Sequence, residues 1–155
     1  MDFFELIRTG DTSGIKQAVT ANPALLNARD ARGFPPLVLA SYNEQYDITQ
    51  YLLEAGADVD VQDAGGNTAL MGVCFKGYPA IAKLLLKHGA DVNKQSVNGA
   101  TALIYTAMFG QNEIAQLLLE HGADKGIRDA QGNTAADHAR MQGGPGMDAL
   151  LNDKG

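Results

Sequence analysis

The chain is poor in cysteine and has no long apolar run. Among its 155 residues Cys74 is the sole cysteine, which excludes an intramolecular disulfide and is typical of a reducing compartment. No apolar segment approaches the roughly 20 residues that a helix needs to cross a bilayer. The N-terminus carries Asp2 and Glu5 and lacks a basic stretch followed by an apolar one, so we expect no signal peptide. These features predict a cytoplasmic protein.

Basic residues are also scarce. There are 12 Lys and Arg against 18 Asp and Glu, which gives a formal net charge of -6. Because phosphate groups attract a basic face, this balance argues against a protein that binds nucleic acid or an anionic membrane with its whole surface. The 45% of hydrophobic residues is nevertheless enough to build a core, which argues against wholesale disorder.

Glycine, by contrast, is abundant, and it recurs in a fixed register. Four of the 18 glycines stand at equal intervals along the chain. An aspartate or a serine stands three positions before each, and a proline or a threonine stands two positions after it. The four glycines are Gly33, Gly66, Gly99 and Gly132; Asp30, Asp63, Ser96 and Asp129 precede them, and Pro35, Thr68, Thr101 and Thr134 follow them. The chain is therefore an array of internal repeats.

Each repeat predicts a turn followed by two helices. The aspartate bonds its own backbone and the glycine supplies an unusual φ, so the first segment is a turn. Thr68 then serves as the N-cap of a helix that ends near Gly77. A second helix carries Ile81, Leu84 and Leu85 at helical spacing and stops at a second glycine, residue 89.

This pattern resembles the ankyrin repeat, a turn and two helices in which Thr-Pro-Leu-His-x-Ala opens the first helix. The matching stretches begin at Pro35, Thr68, Thr101 and Thr134, and the run Leu84-Leu-Leu-Lys-His-Gly-Ala-Asp-Val-Asn93 is as specific a motif as the family offers. The resemblance implies an all-α ankyrin solenoid with hairpin-like turns projecting as fingers. It would form one domain, 1–155, with full repeats at 29–61, 62–94 and 95–127 and capping repeats at 1–28 and 128–155.

Two departures from the family pattern have structural consequences. The family histidine, which ties adjacent turns by hydrogen bonds, is replaced in the four units by Val38, Met71, Ile104 and Asp137. The apolar substitutes suggest that packing takes the place of those ties. Glu44 stands where a glycine is expected at the end of a first helix.

The resemblance also places a candidate partner-binding surface. At one register near the end of each first helix, a position that the family usually leaves polar on the concave face, stand Tyr42, Phe75, Met108 and Met141. Large apolar side chains exposed in a line would form a patch that monomers seldom keep without use. The alternative is that they cover one another between helices, so burial of Tyr42, Phe75 and Met108 would refute the idea. Nearby candidates are Phe34, Phe109, Lys76 and the turn-tip residues Arg32, Asn67, Asn98 and Gln131.

Lysines and histidines elsewhere have simpler interpretations. Residues 62–94 hold four lysines and two aspartates, and Lys76 beside Phe75 is placed to meet an acidic group of a partner. His88 and His121 each precede a capping glycine, where a donor suits the helix dipole better than a metal ligand would. Cys74 has nothing nearby to lower its pKa and is interpreted as a packing thiol. We expect no catalytic site, metal or cofactor.

The predicted function is therefore a non-enzymatic module that binds a folded protein partner through its concave face and turn tips. Inhibition or sequestration of that partner would follow from binding alone. Two alternatives stay open: a protein that binds a small ligand or metal, and a self-associating structural protein that uses the same face in a homodimer. We expect a monomer, and the sequence does not identify the partner because a fold does not determine a target.

Overall fold

The sequence repeats correspond to pairs of short helices in a computed structural model, which describes residues 2–152. Ten α-helices and one 3-10 helix occupy this range, and no strand is found within it. The helices are α1 Phe3–Thr9, α2 Thr12–Ala21, the 3-10 helix Pro23–Asn27, α3 Pro36–Tyr42, α4 Tyr46–Glu54, α5 Ala69–Lys76, α6 Pro79–Lys87, α7 Ala102–Phe109, α8 Asn112–Glu120, α9 Ala135–Gln142 and α10 Pro145–Asn152. The predicted capping units also include residues 1 and 153–155, which lie outside the described residues.

The repeated polar residues set the helix ends as predicted. The hydroxyl oxygens of Thr68, Thr101 and Thr134 accept hydrogen bonds from backbone amides three residues later, which confirms their role as N-caps. Helix α5 ends at Gly77 in the left-handed conformation, with φ 80°. Glu44 occupies the same position after α3 and is forced to a φ of 58°, where a side chain is strained.

The pairs stack into two layers that share one core. The first helices of the pairs contact one another in the order α1, α3, α5, α7 and α9, and the second helices in the order α2, α4, α6, α8 and α10. Leu52, Leu85 and Leu118, which occupy the same position on successive second helices, are fully buried. Burying one such side chain contributes roughly 1.5–3 kcal/mol, so the stack is held by the same contact made again in each repeat.

The turns between repeats form fingers closed by side-chain and backbone hydrogen bonds. In the second full repeat the Asp63 carboxylate accepts hydrogen bonds from the amides of Gly65 and Asn67, both at 2.9 Å. Fingers also bond directly to their neighbours, as the Val97 amide donates to the Gly65 carbonyl at 3.1 Å. The hairpin-like fingers are therefore ordered turns that are linked along the stack.

The expectation that packing replaces the inter-turn ties is wrong in part. Val38, Met71 and Ile104 are indeed buried. The ties persist, however, in another register of the repeat. The Gln62 side-chain amide donates to the carbonyl of Gly66 in its own finger at 2.7 Å and to that of Gln95 in the next at 3.2 Å. Arg29 and Gln95 make both corresponding bonds, and Arg128 donates to the carbonyl of Gly132 in its own finger.

No helix within residues 2–152 has both the length and the apolar character required to cross a membrane.

Candidate functional site

A groove opens between the fingers and first helices of the first two full repeats. It has a volume of about 530 Å³. Its lining residues come from α1, α3, α5, α7 and two fingers, so no single repeat could form it. They are Arg8, Arg32, Phe34, Val38, Leu39, Tyr42, Asn43, Asp63, Asn67, Thr68, Met71, Gly72, Phe75 and Tyr105.

Three aromatic rings form a continuous exposed row beside this groove. The rings of Tyr42 and Phe75 are nearly parallel with centroids 6.1 Å apart, and Phe109 meets Phe75 edge-on at 4.7 Å. Tyr42, Phe75 and Phe109 are 40%, 44% and 42% exposed, respectively. Such ring pairs contribute about 0.5–1.5 kcal/mol beyond their buried area, so the rings hold one another in place without being buried.

Gly72 lines the groove and leaves room for the Tyr42 ring by lacking a side chain. It lies in the interior of α5, where glycine costs about 1 kcal/mol relative to alanine. A Cβ built on this residue would lie 3.3 Å from Cδ1 of Tyr42, so even alanine would crowd that ring. The equivalent positions of the neighbouring repeats hold Leu39 and Tyr105. The glycine therefore lets the Tyr42 ring lie close against α5 at the wall of the groove.

Polar contacts fix the walls of the groove. The Tyr105 hydroxyl donates a hydrogen bond to the Asn67 side-chain oxygen at 2.8 Å, joining α7 to the preceding finger. The Arg8 guanidinium lies 3.3 Å from the Asp30 carboxylate, whose side chain is only 6% exposed. The Lys76 ammonium lies over the ring of Tyr42, 5.1 Å from its centroid. These contacts hold the side chains of Tyr105, Arg8 and Lys76 in defined positions.

Comparison with known proteins identifies the repeats. A family model described as ankyrin repeats (3 copies) matches residues 5–96 and 70–155. The chain belongs to the ankyrin repeat family. Ankyrin repeats generally mediate protein–protein interaction, and the family is typically non-enzymatic.

Two named proteins share local similarity with this ankyrin chain. One is the serine/threonine-protein kinase VIK of Arabidopsis thaliana, 38% identical over 58 residues, which are 37% of this chain and 13% of the kinase. The other is the ankyrin repeat and SAM domain-containing protein 6 of Danio rerio, 37% identical over 62 residues, 40% of this chain and 8% of that protein. Each match thus covers a small part of a much longer protein.

Some of the predicted partner-binding residues line the groove and others do not. Arg32, Phe34, Tyr42, Asn67 and Phe75 line the groove, and Lys76 lies at its edge over Tyr42.

The other predicted residues lie away from the groove. Met108 is half-buried and packs against the core, while Met141 is 62% exposed. The row of contacting rings continues from Phe75 to Phe109, the residue after Met108. Asn98 is exposed at a finger tip. Asn67, which was predicted to be a tip residue, instead lines the groove and is half-buried. The tip position of its repeat, 33 residues before Asn98, is occupied by Gly65.

Several residues of the site were missed by sequence reasoning. Gly72 and Tyr105 shape the groove, and Val97 at a finger tip is 71% exposed. A glycine inside a helical pattern was the available signal for Gly72. For Gln62 and its equivalents, the signal was a donor side chain recurring once in each repeat, just before the aspartate or serine of the finger.

The histidines and the cysteine have structural roles. Nδ1 of His88 lies 3.0 Å from the Leu84 carbonyl and Nδ1 of His121 lies 2.8 Å from the Leu117 carbonyl, so each closes the end of its own helix. Cys74 is buried, and burial raises the pKa of its thiol. Within residues 2–152 no group of three or more His, Cys, Asp or Glu side chains is arranged to hold a metal.

The last histidine hydrogen-bonds to an aspartate in the C-terminal unit. Nε2 of His138 lies 2.8 Å from the Asp129 carboxylate. Burial by itself would raise the pKa of Asp129. The hydrogen bonds from His138 and from the amides of Asn133 and Gln131 outweigh that effect, and the pKa lies below its ordinary value. This pair anchors the last finger to α9.

Proposed function

We propose that this chain is a non-enzymatic interaction module that binds a folded protein partner through the groove, the ring row and the finger tips. Inhibition or sequestration of the partner follows from such binding. The observation that carries the proposal is the exposed row of Tyr42, Phe75 and Phe109 beside the groove. Aromatic side chains are enriched at the centres of protein interfaces.

The stacked scaffold supports this proposal energetically. Ordering a flexible side chain at an interface costs about 0.5–1.5 kcal/mol, and these rings already contact one another. The fingers are also ordered before binding, since the Gln62 and Gln95 side chains bridge successive turns. More of the interaction energy is therefore retained as affinity.

Affinity capture with the full chain tests this function. We expect Phe75→Glu to lose the partner recovered by the wild type, because a carboxylate would replace the central ring of the row. Ala80→Glu is the matched control, since Ala80 is exposed on α6 and the substitution adds the same charge away from the groove. Circular dichroism checks that both variants are folded.

Two results would contradict the proposal. Equal recovery of all proteins by wild type and folded Phe75→Glu would show that the ring row does not bind them. Sedimentation gives the second: a wild-type dimer that dissociates in the Phe75→Glu variant would show that the ring row pairs two copies of the chain.

A further inference from the structure

The segments that form the concave face carry no net charge, unlike the acidic chain as a whole. The fingers and first helices of the three full repeats comprise residues 30–43, 63–76 and 96–109. Their acidic and basic side chains are Asp30, Arg32, Asp63 and Lys76, although the whole chain has a net charge of -6. The excess of carboxylates therefore lies outside these segments.

Both carboxylates of these segments accept hydrogen bonds from backbone amides of their own fingers. Asp30 accepts hydrogen bonds from the amides of Arg32 and Phe34, both at 2.9 Å, and its second oxygen meets Arg8. Asp63 accepts from two amides of its own finger in the same way. Their negative charge is thus compensated locally by amide dipoles and, for Asp30, by a guanidinium.

The two cations, by contrast, have no carboxylate partner among residues 2–152. Arg32 and Lys76 are exposed, and no carboxylate described in this range lies within 4.0 Å of either. Lys76 lies over the Tyr42 ring, so its stem is positioned while its ammonium can still donate hydrogen bonds. Arg32 lines the groove itself.

We propose that the groove binds an acidic segment of the protein partner: one large apolar side chain enters beside Gly72, and flanking carboxylates pair with Arg32 and Lys76. This inference rests on the proposed function and names the chemistry of its partner. The apolar side chain would contact Tyr42 and Phe75. The groove volume of about 530 Å³ leaves ample room for it.

Electrostatics favours an acidic partner over a basic one in two ways. A carboxylate placed at Arg32 or Lys76 gains an ion pair without breaking an existing one. A basic segment would meet two like charges, while Asp30 is already paired with Arg8 and one oxygen of Asp63 already accepts two amide hydrogen bonds. Charge complementarity of this kind mainly sets specificity and the association rate, while the apolar contact supplies affinity.

A displayed library of random, disulfide-closed peptide loops provides a defined probe. The immobilised full chain is used for selection, and enriched loops are sequenced and titrated as synthetic peptides. We expect them to combine a large apolar residue with Asp or Glu. Binding should weaken at high salt. Phe75→Ala should weaken it at least about tenfold. The double variant Arg32→Gln/Lys76→Gln should weaken it about threefold to tenfold.

Matched variants separate charge from folding. Lys83→Gln removes an exposed lysine on α6 and should leave peptide binding unchanged. Lys76→Arg keeps the charge and should retain binding. Unfolding midpoints measured for all variants show whether the fold is preserved.

The outcomes distinguish the two proposals. Selected loops that need Phe75 but lack acidic residues, or that ignore Arg32→Gln/Lys76→Gln, would overturn the acidic partner and leave the proposed function standing. Failure to select any Phe75-dependent loop would overturn both. Loops that combine an apolar residue with acidic ones and respond to both sets of variants would support both.

Discussion

Two equivalent glycines, Gly99 and Gly132, allow a sharp test of how the fingers are held together. They occupy the same position in successive repeats, and both have a positive φ, 75° and 83°. A Cβ on Gly99 would lie 2.9 Å from the backbone nitrogen of Ala130 in the next finger. A Cβ on Gly132 would meet nothing within 4 Å. Alanine at the two sites therefore imposes the same backbone strain but a different steric demand.

The magnitudes follow from these contacts. Alanine in the left-handed region costs about 1–2 kcal/mol, partly offset by a reduced entropy of the unfolded chain, so Gly132→Ala should destabilise by about 1 kcal/mol. Gly99→Ala must also move two fingers apart. That movement breaks the 2.9 Å hydrogen bond from the Ala130 amide to the Asn98 carbonyl, worth about 0.5–1.5 kcal/mol, and reduces finger packing. We expect Gly99→Ala to cost about 2–4 kcal/mol in total.

Urea unfolding followed by circular dichroism measures both variants. The comparison is valid where the slope of the free energy of unfolding against urea stays that of the wild type. Equal destabilisation by the two substitutions, or a larger loss from Gly132→Ala, would refute the argument that close contact between fingers stabilises this stack.

Three further predictions concern other positions. Glu44→Gly should raise the free energy of unfolding by about 0.5–1 kcal/mol in urea unfolding, because it removes a side chain at a φ of 58°; a loss of stability would contradict it. Gln62→Ala should cost about 1–2 kcal/mol in the same assay, because it breaks one hydrogen bond within its own finger and one to the next finger. Gln131→Ala, at an exposed tip, should cost under about 0.5 kcal/mol. Asp129→Asn should lower the thermal midpoint at pH 7 and lose this effect in acid. Because the folded-state pKa of Asp129 is lowered, its stabilisation is present above the ordinary value of about 4 and disappears as pH falls through the lowered pKa. An unchanged difference between Asp129→Asn and wild type at pH 7 and pH 2 would refute that account.

Most of the fold could be predicted because the sequence signals that begin and end its helices are local. The turn, the threonine cap and the glycine stop each act over a few residues, so Thr68 and Gly77 predict the ends of α5 without knowledge of its neighbours. Regular repetition of the unit then determines which faces stack. The side chains that link the fingers were harder to predict from the sequence, since Gln62 bonds residues in two separate repeats.

The candidate site depended on tertiary structure more than the fold did. Sequence determined that large apolar side chains recur at the end of the first helices, and Tyr42 and Phe75 do lie exposed there. Only packing between repeats decided that the Phe109 ring meets Phe75 and that residues of several repeats line one groove. The physical reason is that a period sets which residues are equivalent, while side-chain volume and direction set which of them touch.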